Sequence, residues 1–132
     1  MLGNKNIKNM IIEILEREMS QLDYLLIEHV KSLREKKKWT QQVLSKKMGV
    51  AISFVSNVES LTERHKYSIR HLALLANAFK YKSVSKLFDF PTPTHDKVVL
   101  RIEVTKTVES KSKKSKIIKS ELKEIILLDP LD

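Results

Sequence analysis

Residues Trp39 to Glu59, WTQQVLSKKMGVAISFVSNVE, leave this chain few options. Thr40 followed by Val43, Leu44 and Met48 reads as an N-capped helix with one apolar stripe. Gly49 ends it, because glycine enters the left-handed turn without a steric penalty. A second short helix is predicted from Ile52 to Ser60. Turned by roughly 100° per residue, it puts Ala51, Val55 and Val58 inside, Phe54 at the margin and Ile52 on the flank. Ser53, Ser56, Asn57 and Ser60 fall outside. Two short helices meeting at a glycine turn make a helix-turn-helix, with the second helix pushed outward from its domain.

The rest of the composition excludes more than it proposes. The 132 residues, with 42% hydrophobic content, suffice for one small core with short appendages. No cysteine is present, which removes disulfides and thiolate metal sites and suits a reducing cytoplasm. His29, His65, His71 and His95 lack metal-ligand spacing, and neither glycine lies in a phosphate-cradling loop. No Ser/His/Asp or paired-carboxylate constellation emerges, so no enzyme, metal or cofactor is expected. No apolar run is long enough to span a bilayer and no signal pattern opens the chain, so no membrane role is expected. The net charge of +9 is unevenly spread. Residues 1 to 30 carry 3 Lys/Arg against 5 Asp/Glu, residues 31 to 90 carry 13 against 4, and residues 91 to 132 carry 9 against 7. The excess sits on the segment with the two short helices, as a polyanion-binding surface or as a solvated basic face.

Gln41, the run Leu44-Ser45-Lys46-Lys47-Met48-Gly49-Val50, and Val55-Ser56-Asn57-Val58-Glu59 resemble the Xre/Cro/phage-repressor family of helix-turn-helix transcriptional regulators. The resemblance covers Leu25 to Phe88 and leaves out both ends. It implies a mainly α fold: a five-helix lambda-repressor-like DNA-binding domain over residues 21–90, with the second motif helix in the major groove of double-stranded DNA. The family's base readers align with Ile52, Ser53 and Asn57, and Ser56 shares their outward face. Asn57 can pair with adenine through two hydrogen bonds, Ser53 can donate or accept, and Ile52 can touch a thymine methyl. The bland alternative for Asn57 is a solvated helix residue.

Phosphate contacts are expected from Lys38, Thr40, Gln41, Ser60, Arg64 and Lys66. Thr40 opens a helix whose free N–H groups attract an anion. Gln41 matches the family's backbone-anchoring glutamine, against a reading in which it merely faces water. Arg64 and Lys66 lie in a loop, Leu61 to Tyr67, about two residues longer than the family's, which could equally be an ordinary exposed basic loop. Arg34 and Glu59 match a structural ion pair. Three departures stand out: Ala51 replaces a capping Ser or Thr, Ser45 replaces a frequent alanine, and Lys80 replaces a helix-ending glycine. Trp39 reads as a core plug rather than a base-stacking residue.

The ends lie outside the resemblance. Ile7, Met10, Ile11, Ile14, Leu15, Met19, Leu22, Leu26, Val30 and Leu33 recur every three or four residues, which predicts helix. Ser20 and Asp23 have capping-box spacing, dividing this into an accessory helix over 4–19, in an N-terminal segment 1–20, and a helix over 21–38. Ser68 and Ser83 open two further helices, and Pro91 and Pro93 close the domain. In the tail, 91–132, Val98, Leu100, Ile102 and Val104 alternate as a strand, and 109–116 reads as a mobile, Ser- and Lys-rich loop. Residues 117–128 suit helix or strand equally. A lone strand leaves its edges unpaired, so a hairpin or exchanged pair is expected, making the short β-containing tail and the N-terminal helix candidate dimerisation elements. These features suggest a homodimeric repressor. The alternative is an antitoxin-like DNA-binding protein whose N-terminal helix or tail also holds a partner protein.

Overall fold

The computed structural model describes residues 9–63, 65–108 and 115–132. Ser20 marks where the helical part begins: its hydroxyl accepts the Asp23 N–H at 2.9 Å and caps α1, Gln21–Lys36. The motif helices follow as α2, Gln41–Met48, and α3, Phe54–Glu59, and then α4 spans Ile69–Ala78. Val84–Phe88 forms a 3₁₀ turn capped by Ser83 rather than a full fifth helix. The described residues also form three strands: β1, Met10–Ser20, before the helices, and β2, His95–Val108, and β3, Ser115–Pro130, after them.

The helical core gathers Leu26, Ile27 and Val30 of α1, Leu44 and Met48 of α2, Val55 and Val58 of α3, Leu75 of α4 and Leu87 of the 3₁₀ turn. Trp39 stacks on Phe79 with ring centroids 5.2 Å apart, so the linker tryptophan serves the core. Gly49 ends α2 at φ 74°, the left-handed position for which glycine is suited.

The expectation of a mainly α fold is corrected. The three strands form one antiparallel sheet in the order β1-β2-β3, and the expected N-terminal accessory helix is strand β1 over Met10–Ser20. Residues 4 to 8 of that expected helix lie outside the described residues. The reason is tertiary. Ile11, Ile12 and Ile14 are β-branched and favour strand, and alternation places Leu15, Arg17 and Met19 on one face. Leu15 stands opposite Ile102, Arg17 opposite Leu100 and Met19 opposite Val98 on β2. Val98, Leu100, Ile102 and Val104 are at most 2% exposed, so β2 is the spine of a second core. Met19 packs against both cores, and Tyr24 of α1 and Leu61 of the α3–α4 connection pack against the sheet's. Residues 117–128 lie within β3, which makes a hairpin with β2; the mobile loop expected over 109–116 falls almost wholly outside the described residues.

Candidate nucleic-acid interface

The site starts from the crossing of α2 and α3. Thr40 caps α2, its hydroxyl accepting the Val43 N–H at 3.1 Å. α3 has no such help at its own start: Ser53 occupies the cap position without a side-chain hydrogen bond, as the loss of a hydroxyl at Ala51 foreshadows. The missing partner comes from the neighbouring helix. Ser45, fully buried on α2, accepts the Val55 N–H on its hydroxyl at 3.0 Å. A residue that reads in sequence as a mild replacement for alanine therefore caps α3 from across the crossing and fixes its start against α2.

A second network braces the other end of α3. Arg34 of α1 donates from Nε and Nη2 to both carboxylate oxygens of Glu59, at 3.0 and 2.7 Å, and from Nη1 to the Trp39 carbonyl at 2.8 Å. The Glu59 side chain is only 2% exposed, and its hydrogen bond holds the Arg34 guanidinium above its ordinary pKa. Gln41 joins this network, donating from Nε2 to Glu59 at 3.0 Å. An amide nitrogen carries two N–H groups, so Gln41 is oriented by Glu59 and keeps one donor for another acceptor.

The residues expected to read bases lie on the outside of this frame. Ile52 is 55% exposed, Ser53 is exposed, and Ser56 and Asn57 are half-buried. Ser56 donates its hydroxyl hydrogen to the Ser53 carbonyl at 2.8 Å. Asn57 has no side-chain partner among the described residues, while Val55 and Val58 beneath it are at most 1% exposed. Lys38 is exposed in a left-handed turn at φ 60°, and Thr40 is exposed. The Ser60 hydroxyl lies 3.3 Å from that of Thr62, and Lys66 reaches Asp23 at 3.6 Å while remaining largely in solvent. Arg64 lies outside the described residues.

Three further contributors carry no signal in the helix-turn-helix pattern. Arg17 of β1 reaches the α3–α4 connection. His71 completes a capping box with Ser68 at the start of α4, where its Nδ1 accepts the Ser68 N–H at 2.9 Å. The His71 ring packs 4.3 Å from Phe54, the first residue of α3, and burial, with Arg70 beside it, holds its pKa below the ordinary histidine value. Arg70 is exposed on the same turn. Tyr67 is buried against Phe54, 5.9 Å between ring centroids, and desolvation pushes its phenol well up, so it packs rather than offering its hydroxyl outward. Among the described residues no cluster of three His, Cys, Asp or Glu could hold a metal, and no helix is long and apolar enough to cross a membrane.

Two braced helices and an outward polar face, whose Asn57 amide has no partner among the described residues, make a helix-turn-helix module within the basic segment 31–90. The helix-turn-helix family model matches residues 30–87. The match places residues 30–87 with the Xre-like helix-turn-helix domains and supports a DNA-binding role in transcription regulation. No curated protein and no solved structure matches the chain.

Proposed function

We propose that this chain is a sequence-specific repressor that places α3 in the major groove, acting as a homodimer in the cytoplasm. Ile52, Ser53, Ser56 and Asn57 read base edges, with Asn57 directed to adenine. Lys38, Thr40, Gln41, Ser60, Arg64 and Lys66 hold phosphates, and Arg70 extends that set. The observation that carries the reading is Asn57: an amide without a partner among the described residues, set over the buried Val55 and Val58 on a helix braced at both ends. One module offers little base-reading surface, so a pair of copies on two half-sites about one helical turn apart is the physically sensible state.

Selection of binding sites from random duplex DNA tests this. Asn57→Ala is expected to relax preference at one base position at a cost of about 1–3 kcal/mol, whereas Gln41→Ala weakens all sequences alike. If both variants select the wild-type motif at wild-type affinity, these roles are wrong. A second reading draws support from the sheet, where Met10, Ile11, Ile12 and Ile14 of β1 and Ile117, Ile118, Ile125 and Leu127 of β3 are exposed. Such apolar surface suits a protein partner. In the leading reading that partner is a second copy; in an antitoxin-like reading it is an unrelated protein. Light scattering on the purified chain separates them, since a monomer on its own and with DNA excludes the first.

A further inference from the structure

Among the described residues of the connection between α3 and α4, which runs from Ser60 to Tyr67, the internal ties are the Ser60–Thr62 hydroxyl contact and the Thr62 N–H to Ser60 Oγ at 3.3 Å. Its firmer ties lead to the other core. Arg17 donates from Nη1 to the Ser60 carbonyl at 2.8 Å and from Nη2 to the His65 carbonyl at 2.9 Å, bracketing the connection near both ends. Leu61 packs into the sheet cluster beside Leu15 and Ile102, and Lys66 is drawn towards Asp23 of α1. Arg17 shares its sheet face with Leu15 and Met19, and β1 lies outside the matched residues 30–87.

We propose that Arg17 is a positioning residue for the phosphate grip of this connection, so that the sheet sets DNA affinity without touching DNA. This rests on the DNA-binding reading above. A planar guanidinium presents its N–H groups in a fixed fork, which suits two carbonyls held at a set separation. With both carbonyls fixed, Lys66 and the N–H groups of Leu61 to Glu63 are ordered before DNA arrives. A loose connection would have to lose that freedom on binding, at a direct cost in affinity. A lysine carries the same charge but, as a compact point charge, does not reproduce the fork.

The test uses the full chain with Arg17→Met and Arg17→Lys, titrated by salt on random-sequence duplex DNA. Both variants are expected to bind about tenfold more weakly, with the slope of log K against log salt reduced by about 1. Motif preference, set by Asn57 and its neighbours, is expected to stay unchanged. In the protein without DNA, hydrogen exchange of the Leu61 to Lys66 amides is expected to speed up while that of α2 does not. Wild-type exchange in Arg17→Met overturns the proposal, as does wild-type affinity in a variant whose connection has loosened. Full affinity in Arg17→Lys with loss in Arg17→Met also overturns it, since charge alone would then account for the effect. The exchange arm needs no DNA, so a wild-type chain that binds no duplex removes the DNA reading while the hold of Arg17 on the connection is still measured.

Discussion

Ser45 shows how much one hydroxyl can decide. With Ala51 and Ser53 contributing no cap, the buried Val55 N–H depends on Ser45, and the site of that bond is sealed from water. Ser45→Ala leaves this donor unsatisfied and should cost about 1–3 kcal/mol, read as a lower urea midpoint at unchanged m-value. His71 acts through its protonation state. Its Nδ1 accepts the Ser68 N–H only while the ring is neutral, and its folded pKa is depressed. Stability from this group is therefore fully present above the unfolded value of about 6.5 and is lost as pH falls below it towards the folded value. The melting temperature should drop across that window relative to a His71→Gln variant; parallel curves for the two proteins would rule the effect out.

Among the elements, those built from local signals were legible. Thr40, Gly49 and the Val55/Val58 pair are neighbours in sequence and in space, so the motif could be read directly. β1 could not, since its isoleucines fit a helical stripe as well as a strand and the deciding partner lies far along the chain, with Leu15 opposite Ile102. β3 was ambiguous for a sharper reason. Register shifts between Arg101/Ile102 and between Thr105/Lys106 leave Lys123 and Ile118 as extra residues, so Leu122 and Ile125, three apart, stand opposite Ile102 and Leu100, two apart on β2. A bulge thus converts a period of two into a spacing that mimics a helix. The Ser45 cap and the reach of Arg17 were hidden because neither has a sequence signature. The end of α4 supplies a test at this scale: Lys80 sits at φ 58°, where its Cβ is strained. Lys80→Gly should raise stability by about 0.5–1 kcal/mol in denaturant unfolding, the added flexibility of the unfolded chain limiting the gain.

Across the whole molecule the two cores are joined through Met19, Leu61 and Tyr24 rather than by a linker. Damage to the sheet should therefore be felt in the helices. Ile102, 1% exposed, lies in the sheet core, and Trp39, the sole tryptophan, reports the helical core. Ile102→Ala should cost about 2–5 kcal/mol and lower the midpoint seen by Trp39 fluorescence and by circular dichroism together. A fluorescence transition that stays at its wild-type midpoint would mean that the cores melt separately.

The pairing of Leu15 with Ile102 also fixes an order of events at birth. At about 5–20 residues per second, residues 10 to 20 leave the ribosome roughly 4–17 s before the strand that will cover them. The helices between can close in that interval, but Ile11, Ile12, Ile14 and Leu15 cannot yet find their sheet. Nascent chains of this protein therefore carry an uncovered apolar ribbon ahead of the helices until β2 emerges, and a chaperone that binds short extended apolar segments would meet it there.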